Sequence, residues 1–573
     1  MTINTGRRKI RITPGKALMF LFFAWFILAC LVLPNLNLLK TVFFSNGSFS
    51  TEPIRKLLKS KRAMKALRNS FILAPTLSIT VGFVGITLVL LTEYFDIKGS
   101  NILRLGYMTT LIYGGITLVS GYKFIYGSSG FLTKLLVQVF PHMNPNWFQG
   151  YGAVLFVMTF SCTSNHMIFL RNAMRSVDFQ TVEAARNMGA GQFYILRRVV
   201  LPVLLPSLFA VTILTFITGL SAMSAPLLVG GTEFQTINPM IKTFADTTSS
   251  KDLAALLSLV LGFATMLLLF IMTQIEKRGH YMSVSKVKTK IAKQKITNPV
   301  LNVLAHVYAY VLFVIYVLPV VLIVLFSFTD SKSIGTRTLT LSSFTLDNYK
   351  YLLQSLSNYR PFVVSIVYSA LAAVIVGAIV VIACRYIQKH KKAVSASVLE
   401  YSLMIPWLLP TTMIALGLMM AFNVRRPYMF NQVLTGTMVI LLIGYVIIKL
   451  PFTMRMTKAA FFSLDDALED ASKNLGAGEL YTFRRVIFPV ILPTVMAIAA
   501  LNFNALISDY DMSAFLYHPL NPTLGVQIKS LTNDMNNPNG MALTFVYAVL
   551  MMIISAVVLY LVYGRGGKDN MKE

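Results

Sequence analysis

The sequence predicts an all-α integral membrane protein with about twelve spanning helices, arranged as two six-helix halves. Of its 573 residues, 55% are hydrophobic and only 13% are charged, a composition that excludes an ordinary soluble domain. Apolar runs of about 20 residues or more, the length that crosses a bilayer as a helix, recur along the chain. One polar stretch between such runs is present twice, which indicates two copies of one unit.

The apolar runs place the predicted spans. The first half is predicted to cross the membrane at about 17–38, 71–93, 104–126, 150–171, 203–229 and 252–275. The second half is predicted to cross it at about 301–328, 361–386, 400–422, 433–452, 490–516 and 541–563. Residues 1–275 then form the first half, 276–300 a basic linker and 301–573 the second half. The first run is too long for the apolar core of a signal peptide, so we expect it to remain as a span.

The net charge of +29 does not indicate nucleic-acid binding, because the basic residues flank apolar runs instead of forming a soluble domain. We expect them to contact anionic membrane lipid. The three cysteines, Cys30, Cys162 and Cys384, lie in apolar runs and predict no disulfide framework. Cys162 has Asn165 and His166 as close neighbours, but a lone histidine among polar residues is more typical of a hydrogen-bonded interior. No metal site is predicted.

The repeated stretch runs from Glu183 to Gly191 in the first half and from Asp470 to Gly478 in the second. In each copy, apolar residues at helical spacing precede a Gly-Ala-Gly corner. Glycine tolerates the positive φ that ends a helix and turns the chain, so we expect a sharp corner there. Pro202 and Pro489 follow, and because proline lacks an N–H we expect a new helix to begin at each.

The pattern Glu-Ala-Ala, three residues, Gly, nine residues and Ile-x-Leu-Pro resembles the signature loop of bacterial ABC importer permeases. In that family the loop is a cytoplasmic helix that docks on an ATPase subunit and transmits its closure to the membrane helices. The resemblance implies docking loops at about 173–201 and 453–488. It assigns the coupling role to Glu183, Ala184, Ala185, Gly189, Pro202, Asp470, Ala471, Ser472, Gly476 and Pro489. Asp470 and Ser472 depart from the pattern, which has Glu and Ala there.

The resemblance also implies partners. The chain has no Gly-x-x-x-x-Gly-Lys-Ser/Thr phosphate loop, so ATP and Mg²⁺ are expected on a separate ATPase and no cofactor is expected on this chain. Because both docking loops are on one chain, we expect it to bind two copies of the ATPase subunit. A separate extracellular substrate-binding protein is expected as well. The chain is then a transport subunit of the bacterial inner membrane and not an enzyme.

Placing both docking loops in the cytoplasm fixes the orientation of twelve spans. The N-terminus, the linker and the C-terminus are then cytoplasmic, and all three are basic, as the positive-inside rule requires. One basic segment disagrees, because it would lie outside; an amphipathic helix on the outer leaflet is one interpretation of it. Its residues are Arg55, Lys56, Lys59, Lys61, Arg62, Lys65 and Arg68.

Over nearly its whole length the chain resembles the ferric-iron permease group, in which a single chain carries both halves. The segments Ala225–Gly231 and Ser513–Tyr517 carry this resemblance. Ferric iron is therefore the expected cargo, with a polyamine, a phosphonate, sulfate, thiamine or a sugar phosphate as alternatives in related permeases. An ion-driven secondary transporter is also built from repeats, but it would not need two docking loops.

Polar residues near the outer ends of the fifth and eleventh spans predict a substrate path. They are Ser221, Ser224, Ser508, Asp509 and Asp511. An ionisable group in a span is costly, which favours a function for it. On a regular helix, Asp509 and Asp511 point roughly 200° apart, so either the helix is broken there or only one of them faces the path. We favour Asp511, because its repeat partner is Ser224; the alternative is two solvated aspartates at the membrane edge.

Overall fold

The computed structural model of the protein describes residues 14–45, 48–174, 177–278, 293–533 and 538–564. The predicted fold class is confirmed, because these residues form helices joined by loops, with one small hairpin in which Phe44–Ser45 pairs with Ser48–Phe49. Residues 279–292, which are most of the predicted linker, lie outside the described residues, as do both ends of the chain.

Within the described ranges, ten helices are long and apolar enough to cross a bilayer, and two bent helix pairs raise the number to twelve if each pair is one span. The long helices are Ala17–Phe43, Lys61–Tyr94, Tyr151–Met174, Gln192–Leu220, Thr248–Ile271, Pro299–Ser327, Leu356–Lys389, Met438–Phe462, Glu479–Ile507 and Pro538–Val562. The bent pairs are Ser100–Leu111 with Gly115–Val139 and Val394–Trp407 with Thr411–Ala421. The shorter helices are Glu52–Lys59, Phe179–Asn187, Ser224–Val229, Ile237–Ala245, Ser331–Thr336, Asp347–Gln354, Asp466–Asn474, Ser513–Leu516 and Leu524–Asn533.

The third and ninth predicted spans, 104–126 and 400–422, are not straight helices. They are the two bent pairs, with bends of 113° and 102°. In the first pair the chain turns at Gly115, whose φ of +56° favours glycine. In the second pair the turn ends at Pro410, which lacks the N–H that a continuing helix would need. An apolar run reports how much of the chain is in the membrane but not its direction.

The prediction that new helices begin at Pro202 and Pro489 is wrong. The helices begin already at Gln192 and Glu479 and continue through the prolines. A five-residue π turn, Leu196–Val200, precedes the first proline, and an equivalent turn precedes the second. This local change of hydrogen bonding accommodates the missing proline N–H without ending the helix. Each docking loop is therefore continuous with a spanning helix.

The same two helices end earlier than predicted, at Leu220 and Ile507 instead of near 229 and 516. Ser221 and Ser508 are their C-cap residues. The chain then turns into a short helix in each half before it crosses the membrane again. Both halves therefore place a helix end and a turn where the sequence predicted the end of a straight span.

Each half packs around one central helix. Lys61–Tyr94 contacts Tyr151–Met174 and Gln192–Leu220 along much of its length. In the second half, Leu356–Lys389 has the corresponding neighbours. The central helix thereby joins the docking loop at one end to the short helices at the other.

The first helix of each half packs on the bent pair of the other half. The Trp25 indole N–H donates to the Tyr428 carbonyl oxygen at 2.8 Å. The Tyr107 hydroxyl donates to the Ala309 carbonyl oxygen at 2.7 Å. The buried apolar residues consequently form one cluster that extends through both halves.

Candidate functional site: docking loops and central cavity

Each predicted docking loop contains a nine-residue helix, Phe179–Asn187 in the first copy and Asp466–Asn474 in the second. An aspartate caps the start of each helix. The Asp178 carboxylate accepts a hydrogen bond from the Gln180 N–H at 3.0 Å, and Asp465 does the same in the second copy at 2.9 Å. Such a cap pairs a backbone N–H that the helix itself leaves unpaired.

A glycine in the left-handed region ends each docking helix, as predicted. Its φ is +84° at Gly189 and +81° at Gly476. The Gly189 N–H donates to the Arg186 carbonyl at 2.9 Å, and the Ala190 N–H donates to the Ala185 carbonyl at 3.0 Å. The second copy has the same two bonds. This pair of bonds defines a Schellman corner, which redirects the chain into the next helix.

The first two motif residues of each copy are exposed, and the third is buried. The exposed carboxylates are those of Glu183 and Asp470. The buried Ser472 hydroxyl bonds with the Thr482 hydroxyl at 2.9 Å, which ties the docking helix to the helix after the corner. Ala185 occupies this position in the first copy and is also buried. The replacement of Ala by Ser is therefore matched by a local hydrogen bond.

Each loop exposes three large apolar side chains beside the corner, at the same repeat positions. They are Met188 (81% exposed), Phe193 (75%) and Tyr194 (60%), and Leu475 (88%), Leu480 (70%) and Tyr481 (61%). They lie at or beside the Gly-Ala-Gly corners, outside the spans predicted from the sequence. Exposed apolar patches in such a setting are typical of a surface that binds another protein.

The described end of the linker, residues 293–297, holds the first docking loop. The Gln294 N–H donates to the Tyr94 carbonyl at 2.8 Å, and its own carbonyl accepts from the Asp96 N–H at 3.0 Å. The Gln294 side-chain oxygen accepts a hydrogen bond from the Arg186 guanidinium. The first docking helix is thus attached both to the second span and to the segment that leads into Pro299–Ser327.

Ion pairs hold the second docking loop instead. The Glu469 carboxylate lies 2.9 Å from the Arg385 guanidinium, 3.5 Å from the Lys389 ammonium and 3.2 Å from that of Lys473. Burial opposes ionisation of Glu469, but the hydrogen bonds from Arg385 and Lys473 outweigh it and lower its pKa to about 2. At neutral pH the carboxylate is therefore charged and this attachment is complete.

A cavity of about 550 Å³ lies between the two halves. The bend at Gly115 forms one wall, where a side-chain carbon would make a tight contact of 3.1 Å with the Ser508 carbonyl oxygen and where the φ of +56° also favours glycine. Oxygen-bearing side chains line much of the cavity. They are Thr110, Ser161, Ser164, Asn165, Ser224, Asn504, Ser508, Asp509, Asp511 and Ser555.

The two aspartates have different environments in this cavity. The Asp509 carboxylate accepts hydrogen bonds from the Ser513 N–H at 3.0 Å and, more weakly, from the Met512 N–H at 3.5 Å. Lys449 adds a favourable electrostatic interaction with it. No such donor or cation faces the Asp511 carboxylate within the described ranges. The helix ends at Ile507, before both aspartates, and both carboxylates reach the cavity. Of the two alternatives raised by the sequence, this is the one in which the helix is broken.

Four of the five predicted path residues line this cavity, and Ser221 does not. The Ser221 hydroxyl is buried and has no hydrogen-bond partner among the described residues. Sequence reasoning missed Ser161, Ser164 and Asn504. The spacing of Ser161 and Ser164 with Asn165 puts all three on one face of an apolar helix, a signal that could have identified this wall.

Asn165 and His166, two of the residues weighed as a metal cluster, have different surroundings. Asn165 is exposed to the cavity. His166 is fully buried and packs against Gly85 of the second span. The polar Asn165 therefore belongs to the cavity wall and the histidine to the packing of the first half.

Comparison with known proteins agrees with this geometry. The profile of a family described as "Binding-protein-dependent transport system inner membrane component" matches residues 10–278 and again 373–564. A probable ABC transporter permease protein of Sinorhizobium fredii is 38% identical over 94% of both chains. A ferric transport system permease protein of Actinobacillus pleuropneumoniae is 23% identical over 92% of this chain and 75% of its own. A Salmonella typhimurium protein named for 2-aminoethylphosphonate transport is 27% identical over 26% of this chain and 55% of its own.

Proposed function

The chain belongs to the family of inner-membrane components of binding-protein-dependent transport systems, and we propose that it couples ATP hydrolysis on separate subunits to the import of ferric iron. It is a multi-pass inner-membrane permease of an ABC importer, which is a transport component and not an enzyme. The observation that carries the proposed coupling is the pair of matching apolar patches, one on each docking loop.

In this proposal each docking loop binds one ATPase subunit, so one chain binds two. The patches give each ATPase an apolar contact, and the exposed carboxylates of Glu183 and Asp470 give it a polar one. Asp470 lies 3.7 Å from Lys473 of its own helix, whereas Glu183 has no ion pair with any described residue. The first loop therefore offers the carboxylate that is more available to a partner.

The continuous helix from Gln192 to Leu220 supports a mechanical link between the loop and the cavity. It has 29 residues, a length of about 43 Å at 1.5 Å per residue. One end lies at the Schellman corner and the other at the turn before Ser224, which lines the cavity. Closure of two ATPase subunits would move both such helices and alternate the access of the cavity between the two membrane faces.

The docking loops define the cytoplasmic face in this proposal, with both termini and the linker on the same side. The extracellular binding protein then delivers its cargo to the opposite face. Short helices follow Gln192–Leu220 and Glu479–Ile507. They lie toward that face, because each comes at the end of its long helix that is farther from the docking loop.

Ferric iron is the cargo that the cavity favours. Carboxylate, hydroxyl and amide oxygens are hard ligands, which suit a hard cation. The relatives that are named for ferric transport match 92% and 85% of this chain, whereas the relatives named for a phosphonate match 43% and 26% of it. Two carboxylates in the cavity would also repel an anionic phosphonate group. We assign the contact with the cation to Asp511, because the Asp509 carboxylate is already held by backbone N–H groups.

The test compares Asp511→Asn with Asp509→Asn in a strain that lacks the native gene. Radiolabelled ferric iron uptake should fall at least tenfold with Asp511→Asn while the amount of protein in the membrane is unchanged. Asp509→Asn weakens the cap of Ser513–Leu516, so it should lower the amount of protein, with uptake per molecule less affected. Undiminished iron uptake in Asp511→Asn would refute the assignment, and increased uptake of a phosphonate in that variant would favour the anionic cargo.

A further inference from the structure

The membrane face opposite the docking loops carries a dense set of basic side chains, the Lys and Arg residues of 55–68, which we call the basic platform. They lie on the helix Glu52–Lys59 and on the first turns of Lys61–Tyr94. All of them are exposed. The other end of the Lys61–Tyr94 helix contacts the linker beside the first docking loop, so the platform is on the far side of the membrane from that loop.

The second half shows that the fold does not require this charge. The Ser70 hydroxyl accepts a hydrogen bond from the Ile237 N–H at 2.9 Å, and Ser365 does the same for the Leu524 N–H at 2.7 Å. These matching bonds align the two segments that precede them. Residues 52–68 hold seven basic and one acidic side chain, whereas residues 347–363 hold two and one. The extra basic residues therefore have a role other than building the helices.

Few of these charges are neutralised within the protein. The Lys56 ammonium lies 3.2 Å from the Glu52 carboxylate and 3.1 Å from that of Asp252. No other member of the platform has an ion pair with a described residue. A set of like charges this dense repels itself unless counter-charges are bound. The charge of the platform therefore favours binding of an anionic partner outside the chain.

Apolar side chains beside the charges indicate what that partner is. On Glu52–Lys59, Leu57 is buried against the protein, while Ile54 and Leu58 are 37% and 65% exposed one turn apart. The basic residues occupy the other side of the same helix. A short helix with an apolar strip between its protein contact and its basic face is typical of a helix that lies in a membrane interface.

The depth of the charges agrees with a lipid headgroup. Phe71 is 46% exposed, and an exposed apolar face continues from it along the spanning helix to Ile79 (71%) and Phe83 (66%). Arg68 precedes Phe71 by three residues, a rise of about 4.5 Å. The platform therefore begins where the lipid-facing surface ends, which is the level of the phosphate groups. Phe44 and Phe49 of the neighbouring hairpin are also exposed, as interface aromatics are.

We propose that the basic platform binds the phosphate headgroups of anionic phospholipid in the leaflet opposite the docking loops. The exposed Ile54 and Leu58 enter the upper acyl region, and the Lys and Arg side chains reach the phosphates. An acidic protein partner would satisfy the charge but would leave no reason for the continuity with the lipid-facing surface. The proposal requires that the docking loops mark the other face; it does not depend on the cargo.

The test measures the binding of phosphatidylglycerol and phosphatidylcholine to the purified full-length chain with its ATPase subunits, by native mass spectrometry in detergent. The variant Lys59→Gln with Lys65→Gln removes two platform charges. Its matched control, Lys332→Gln with Lys350→Gln, removes two exposed lysines from the same face of the second half. Each basic group near an anionic surface contributes about fivefold, so the platform variant should bind phosphatidylglycerol roughly thirtyfold more weakly. The control should change by less than twofold, and phosphatidylcholine binding should be unaltered in both.

Equal phosphatidylglycerol binding by the platform variant and its control would overturn the proposal. Weaker binding of the extracellular binding protein with phosphatidylglycerol binding intact would also overturn it, in favour of an acidic protein surface. A thermal unfolding midpoint in phosphatidylcholine within about 2 °C of the parent chain verifies that the variants are folded. A null result for iron uptake in Asp511→Asn would leave the lipid measurement unaffected, so the two proposals fail separately.

Discussion

Alanine at Gly189 isolates the backbone conformation of the docking corner. Gly189 has a φ of +84°, and a side-chain carbon added there meets no atom within 4 Å. Gly191, two residues later, has a φ of −67° and is equally open. Gly189→Ala and Gly191→Ala therefore add the same methyl group to the same exposed loop. Only the first forces an L-residue into the left-handed region.

The cost of that conformation sets the expected effect. A residue other than glycine is destabilised there by about 1–2 kcal/mol. This lowers the ratio of correctly turned to misturned loop by about 5–30-fold. Because only the correctly turned loop presents the apolar patch to the ATPase, affinity for the ATPase should fall by up to the same factor. Gly189→Asn should recover part of the loss, since Asn adopts this conformation more readily than Ala.

Two assays read out the effect: binding of the purified ATPase subunit to the detergent-solubilised chain, and ATP-driven uptake in cells. Gly476→Ala, with Gly478→Ala as its control, repeats the comparison in the second copy, where the φ values are +81° and −70°. The amount of protein in the membrane should be the same in all variants. Equal behaviour of Gly189→Ala and Gly191→Ala, or no recovery with Asn, would refute the reasoning from backbone strain.

Four further predictions concern the attachment and orientation of the loops. Glu469→Gln should weaken the attachment of the second docking loop by roughly 1 kcal/mol, a figure that is discounted because the carboxylate is partly exposed. Glu479→Gln changes a more exposed carboxylate and should not weaken it. The affinity for the ATPase subunit measures both effects. The pKa of Glu469 is depressed from 4.5 to about 2, so its contribution to holding the loop is complete above about pH 4.5 and is lost as the pH falls through 2. The sensitivity of the loop to proteolysis should rise over the same pH range. A loop that is equally protected at pH 2 would contradict this. Gln294→Ala removes the hydrogen bond to Arg186, so it should uncouple the first docking loop and lower transport several-fold. Lys295→Ala, at the exposed neighbouring residue, should not lower it. Equal transport in both variants would show that the linker does not stabilise the loop. In a cysteine-free background, cysteines at Ala190 and Ala477 should be protected from an impermeant thiol reagent in intact cells and one at Glu233 should react; labelling of Ala190 from outside would reverse the proposed orientation.

The sequence by itself determined the features whose causes are local. The fold class follows from apolar runs long enough to cross a bilayer, and the docking corners follow from a few adjacent residues. Gly189 takes a positive φ because the helix before it must end within one turn. The Asp178 cap acts within three residues of its own position. Such hydrogen bonds depend on neighbours in the chain, so a pattern in the sequence contains all the information needed.

Apolar runs did not predict the direction of the helices. The bends of 113° and 102° in the third and ninth spans leave hydrophobicity unchanged. Pro202 reads as a helix start, but the π turn before it lets the helix continue. Hydropathy and the positions of prolines restrict the backbone hydrogen bonds that can form. Several hydrogen-bond patterns satisfy these restrictions equally well.

Only the tertiary structure decided the composition of the cavity and the anchoring of the loops. Ser161 and Asp511 share a cavity although 350 residues separate them, because helices from both halves meet there. Asp511 is distinguished from Asp509 by backbone N–H groups that point at one carboxylate and not at the other. Gln294 accepts a hydrogen bond from Arg186 although 108 residues of sequence separate them. These contacts are set by how packed helices place side chains from distant parts of the chain side by side, and no local pattern records that placement.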